Sequence, residues 1–214
     1  MGFSKFVSGA TILGLAAVLV SSCAEKPKQR PLPDLPQFSE SPAGSKTGSC
    51  GPVQTVGPYP QADEDATHVD LGAAPRLSTY ASVPPASGPH APAPLPAGVY
   101  DSPPDVYAVI HSLEHGAVAV WFAPTTGGPE LDRVKQLVSA NQDHVVMAPY
   151  DYPSEGEARV LPAGSKMALV AWHHVQLCDG PDAATVEKFL SSYRAPPLDG
   201  GVYIGDAPEA GVSI

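Results

Sequence analysis

The chain has 214 residues, 43% of them hydrophobic, with a mean hydropathy of −0.04. Acidic side chains outnumber Lys and Arg by 22 to 12, for a formal net charge of −10. That balance argues against nucleic acid and the anionic membrane surface as electrostatic partners.

Residues 1–22 have the layout of an export signal. Lys5 is the positive n-region, and residues 6–20 are almost free of strong polar groups. That run suits an h-region and falls short of the roughly 20 apolar residues of a bilayer span. It ends Val20-Ser21-Ser22-Cys23, a branched aliphatic residue and two small ones before a cysteine. This is the pattern of a lipoprotein signal, with Cys23 expected to become the lipid-bearing first residue. The alternative is an ordinary secretory signal beside an incidental cysteine. Cleavage removes one charge, Lys5, and takes the net charge from −10 to −11. Ala24 follows where an Asp would retain a lipoprotein at the inner membrane, so in a two-membrane cell the outer membrane is favoured. The expected location is therefore exported and lipid-anchored, on the outer face of the cytoplasmic membrane or on the outer membrane.

Residues 23–48 are Pro-, Ser- and Gly-rich with few large apolar side chains, and read as a flexible tether. Proline continues onward: 17 of the 26 prolines precede Asp105. Residues 50–104 also carry aromatic and aliphatic side chains at intervals, so an ordered, mostly irregular layer with short strands at most is expected there. So long a loop is unusual unless it is functional. With Cys23 lipidated, Cys50 and Cys178 are left, and an oxidising compartment allows one pairing, Cys50–Cys178. Two free thiols are the alternative.

Regular structure is expected from residue 103. Residues 103–115 read as a helix, capped by Ser102, opened by proline and stopped by Gly116. Residues 117–122 (AVAVWF) read as an apolar strand. Residues 129–140, with Leu131, Val134, Leu137 and Val138 at helical spacing, read as a helix. Residues 145–148 form a strand candidate, residues 167–177 the longest one, and residues 182–193 a second amphipathic helix. The expected fold is one small α/β or α+β domain over residues 49–195, a short sheet flanked by helices under the long Pro/Gly-rich N-terminal layer, with a C-terminal tail at 196–214.

Seven histidines are the remaining chemistry: His68, His90, His111, His115, His144, His173 and His174. His111 and His115 stand at i and i+4 of the expected helix, on one face and roughly 6 Å apart, where two imidazoles can hold one metal ion. A buried, hydrogen-bonded pair fixing the helix to its strand is the alternative. The same residues match H-x-x-E-H, the inverted zinc-peptidase motif, with Glu114 as base. That motif needs a longer helix and a third ligand on another helix, whereas this helix ends at Gly116. Glu114 in the last turn then needs a cation to neutralise it against the helix dipole. His90 follows Ser87-Gly88-Pro89, a rigid turn; His68 lies in a loop near several acids. His173 and His174, adjacent on one strand, point to opposite faces and cannot reach one site. His144 is expected to face solvent. Met147 and Met167 are soft potential copper(I) ligands, more simply read as core.

Certain runs carry a resemblance. His68, then Tyr80 with Pro84-Pro85-Ala86-Ser87-Gly88-Pro89-His90, then Gly98-Val99-Tyr100-Asp101, then Ile110-His111-Ser112-Leu113-Glu114-His115-Gly116-Ala117-Val118 and Trp121 resemble the domain-of-unknown-function family 3105. Ala148-Pro149-Tyr150 and Ala171-Trp172 resemble its later motifs. The resemblance covers roughly residues 50–195. Ile110 and Phe122 depart from its pattern without touching the polar set. It implies a domain and an export context, and no established activity. It also singles out His68, His90, His111 and His115 as a candidate four-nitrogen site for zinc or copper, with Glu114 in support. Ring nitrogens of at least three of them are then expected within roughly 3–5 Å of one another. Four ligands with no open position suit binding better than catalysis. The rival readings are a metal-dependent hydrolase or oxidoreductase with Glu114 as base, and a structural or interaction lipoprotein without a metal. Beyond the membrane anchor, the sequence names no protein partner.

Overall fold

The structure, a computed structural model, describes residues 48–59 and 62–214. The expectations for the signal peptide, Cys23 and all of the tether except Gly48 fall outside the described residues.

Within them the chain forms a six-stranded mixed sheet and three α-helices. The strands are β1 (Gln54–Thr55), β2 (Gly98–Val99), β3 (Val118–Phe122), β4 (Val145–Pro149), β5 (Met167–Ala171) and β6 (His174–Cys178). The helices are α1 (Val106–Glu114), α2 (Pro129–Ala140) and α3 (Ala183–Tyr193). The sheet order is β1-β6-β5-β3-β4-β2. β2 and β3 both run parallel to β4, and the remaining neighbours are antiparallel. The β3–α2–β4 segment is a crossover unit of the kind parallel pairing requires.

Strand alternation sorts side chains onto two faces. Ala119 and Trp121 of β3, Val146 and Ala148 of β4, and Ala168 and Val170 of β5 join Val109, Ile110 and Leu113 of α1 in one core. Val118, Val120, Phe122, Met147, Met167 and Leu169 join Leu131, Val134 and Val138 of α2 and Val186, Phe189 and Leu190 of α3 in the other. A sheet covered on both faces explains why its central strands read as unbroken apolar runs. Met147 and Met167 both lie in this second core.

The Pro-rich layer covers the α1 face. It holds β1, β2 and short 3-10 turns at Ala62–Glu64, Leu71–Ala73 and Leu77–Thr79, with Leu77 and Tyr80 anchored in the core. Two strand and helix assignments change. α1 starts three residues later than expected, because Asp105, not Ser102, accepts the N-cap bond from Tyr107. The long strand at 167–177 is a hairpin: Trp172 and His173 turn the chain, with His173 in the left-handed region at φ 60°. Its apolar composition masks the turn, since it has neither glycine nor proline there. α2 matches its expected bounds, and α3 is capped by Asp182, which accepts from Thr185.

Cys50 and Cys178 are joined, with Cα atoms 4.0 Å apart at a sequence separation of 128, fastening the arm before β1 to the end of β6. Closing so long a loop restricts the unfolded chain. Replacing both cysteines by Ser is expected to lower stability by about 2–5 kcal/mol in urea unfolding; an unchanged midpoint and slope would count against that role.

Candidate metal centre

The site is assembled by three segments meeting at the C-terminal end of α1. His111 and Glu114 come from α1 and His115 from its C-cap, at positions i, i+3 and i+4, which share one helical face. Gly116, at φ 87°, ends the helix there; a Cβ would stand 2.7 Å from that of Ala195.

His90 is delivered by the loop between the third 3-10 turn and β2. Its backbone N donates to Thr67 and its carbonyl accepts from Val69, at 2.9 and 2.8 Å, a parallel bridge that sets His68 beside it. Asp65 holds both pieces together. Its carboxylate accepts from the backbone of Tyr59 and the hydroxyl of Ser87, both at 2.6 Å, and its backbone carbonyl accepts from Gly88. Gly88 sits at φ 118° with Tyr80 and Tyr59 where a Cβ would stand, so only glycine fits. Tyr80 donates to the Pro89 carbonyl. Ala91 and Leu95 then bond to Tyr107, Ala108 and Ser112, docking the loop along α1.

The ring geometry fixes protons. A carbonyl can only accept, so a ring nitrogen facing one carries the hydrogen. Nδ1 of His90 faces the Gly88 carbonyl at 2.8 Å, Nδ1 of His111 the Ala91 carbonyl at 2.7 Å, and Nδ1 of His115 the Ser213 carbonyl at 3.0 Å. In each neutral ring Nε2 is then a bare lone pair. These lone pairs are aimed at one another and at a carboxylate. His111 Nε2 and His115 Nε2 are 3.0 Å apart. His90 Nε2 is 3.0 Å and His68 Nε2 3.7 Å from Glu114 Oε2. His90 Nε2 and Glu114 Oε2 are buried, and despite their closeness neither has a hydrogen bond.

Burial and contact pull against each other in this cluster. Burial pushes the His111 imidazole down; its bond to Ala91 opposes this, and His90, His115 and His68 push it further down, leaving it below the ordinary value and neutral at pH 7. Burial pushes the Glu114 carboxyl up, but a proton-bearing His90 beside it and the positive charge that His90, His111 and His68 carry when protonated outweigh this and hold it below its ordinary value, so this carboxylate favours positive charge among the rings.

Of the four expected ligands, the fold brings His68, His90 and His111 together, with Glu114 as the fourth group; one ligand atom from each lies within 4.8 Å of the others. This set could hold a metal ion. Glu114 lies within it and not behind it, because i+3 faces the same side as i. His115 stands beside it, in a second group with Glu114 and Glu209; its ring is turned by Ser213 in the C-terminal tail.

The other histidines depart from expectation. Because His173 occupies the hairpin turn, it and His174 do reach a common group: both contact Asp206, at 3.0 and 3.3 Å, and His173 also contacts Asp65 at 2.7 Å. His144 is buried, bonded to Asp143 and to the Val212 carbonyl, because the tail folds over it. Asp65, Asp206 and Glu209 escaped the sequence reading. Asp65 was legible only as one of several acids near His68.

The family described as "Protein of unknown function (DUF3105)" matches residues 75–201, a span that includes His90, His111, Glu114 and His115 and leaves out His68 and Glu209. The match is narrower at its N-terminal end than the 50–195 of the resemblance. No curated protein and no solved structure matches the chain. The match covers more than half of the chain, which therefore belongs to the DUF3105 family.

Proposed function

We propose that this protein is an exported, lipid-anchored metal-binding protein that holds one divalent ion, copper or zinc, through His68, His90, His111 and Glu114. The observation that carries the reading is the convergence of the His68, His90 and His111 rings with the Glu114 carboxylate, the Nδ1 of the two buried rings, His90 and His111, being already committed to a backbone carbonyl. Electron-rich atoms packed this way repel one another unless a cation lies between them. A ligating imidazole that donates its other N–H to a carbonyl is the usual arrangement around a metal. A purely hydrogen-bonded core, the structural rival, would instead give each of these atoms a donor.

Three nitrogens and one oxygen suit zinc as a tetrahedron or copper(II) as a tetragonal plane. The hydrolase reading needs Glu114 free to take a proton from bound water. Its position within ligand distance favours coordination. His68, with a side chain 49% exposed, is the ligand through which an ion exchanges with solvent. The anchor rests on Val20-Ser21-Ser22-Cys23 and the apolar run before it; the Pro-rich stretch that follows would hold the site clear of the membrane.

Untagged protein should carry close to one equivalent of copper or zinc by elemental analysis, and His111→Ala should lose at least about nine-tenths of it. Unchanged metal content in that variant overturns the site. Binding should weaken as pH falls below about 6, when imidazoles take up protons. Burial moves this loss to lower pH for His111, whose lone pair persists further into acid than that of a free imidazole. Binding that stays constant down to pH 4 would contradict histidine ligation. For the anchor, Cys23→Ser should shift the protein from the membrane fraction to the soluble one and abolish acyl labelling; continued acylation would refute it.

A further inference from the structure

We infer that the site takes a second divalent cation, held by Glu114, His115 and Glu209, with Glu114 shared between the two ions. This rests on the first centre proposed above. An ion on His68, His90, His111 and Glu114 satisfies those four groups and leaves His115 unresolved. The His115 Nδ1 proton is committed to the Ser213 carbonyl. Its Nε2, in a side chain 8% exposed, lies 3.2 Å from Glu209 Oε2 and 3.0 Å from His111 Nε2. With the ring proton on Nδ1, Nε2 points a lone pair at a carboxylate and at the ligating nitrogen of His111. One ligand atom from each of Glu114, His115 and Glu209 lies within 4.8 Å of the other two.

The tail that brings Glu209 is built onto the end of α1. The Glu209 backbone donates to the Glu114 carbonyl at 3.0 Å and Gly211 to the His115 carbonyl at 2.9 Å. These bonds satisfy the carbonyls that a helix end leaves free. They also fix the carboxylate of Glu209 over the His115 ring. The two centres then have two carboxylates for two divalent ions, and one of those carboxylates bridges, as in two-metal sites whose ions stand about 3.5–4 Å apart. Glu209 is half exposed, at 51%, so the second ion is the more readily exchanged.

The competing account is a proton on His115 Nε2, pairing it with Glu209. Stoichiometry separates the two. The full-length chain in detergent, stripped and titrated with Zn²⁺ at pH 7.5 by calorimetry, should take up about two equivalents, the second more weakly. Glu209→Gln, a half-exposed change that leaves the tail's backbone bonds in place, should take up about one, with the first affinity within roughly threefold of the parent. A parent that binds one equivalent, matched by Glu209→Gln, overturns the second ion and leaves the first centre standing. A parent that binds none overturns both.

Discussion

The constraint on which the rest depends is the placement of three imidazole protons. His90, His111 and His115 each give Nδ1–H to a backbone carbonyl, of Gly88, Ala91 and Ser213. A neutral ring has one proton, so three Nε2 lone pairs are left facing inward. Burial pushes the His111 imidazole below its ordinary value, and the surrounding histidines hold the Glu114 carboxyl below its own. Within the protein such opposed lone pairs cost more than in water, because the interior screens them poorly. The backbone thus fixes which ring nitrogens face one another in a cluster that could hold a cation.

That arrangement explains the architecture around it. Three carbonyls must be held in place, and each belongs to an irregular segment: the Gly88–Ala91 loop twice and the C-terminal tail once. Asp65 ties the first to the chain carrying His68 and, through His173, to the β5–β6 turn. Asp206 engages both histidines of that turn from the tail side. Prolines in the long layer restrict its unfolded conformations and so lower the entropy cost of holding His68 and His90 in place. The two-faced sheet provides the rigid base: α1 packs on it through Val109, Ile110 and Leu113, and its opposite side carries the histidines.

Much of the fold was legible in the sequence because its elements are locally consistent. α2 has helical apolar spacing and a proline at its start, and α3 has Asp182 as its cap, so both emerge nearly to the residue. β3 and β4 are apolar on both faces because both are covered. The β5–β6 turn was illegible because Trp172-His173 carries no turn signature; tertiary contacts hold His173 at positive φ, with its backbone bonded to Ala86 and Val56. At the site, helical spacing revealed His111 and His115, and the family-like motifs pointed to His90 and His68. Spacing also placed Glu114 on that face, but its position among the ligands depends on the loop folding back. Glu209 was beyond reach, since its role comes from a tail 95 positions after Glu114 in sequence whose docking depends on backbone bonds that any residue could make.

The most direct measurement is of the imidazole nitrogens themselves. In nitrogen-15-labelled protein at pH 7.5, long-range proton–nitrogen correlation spectra separate a protonated ring nitrogen from a bare one. The account predicts that His90 and His111 show protonated Nδ1 and bare Nε2 without metal, and that both Nε2 signals move to metal-bound positions on the first equivalent of Zn²⁺ while Nδ1 stays protonated. Protonated Nε2 in either ring, or Nε2 signals that ignore the added ion, would contradict it.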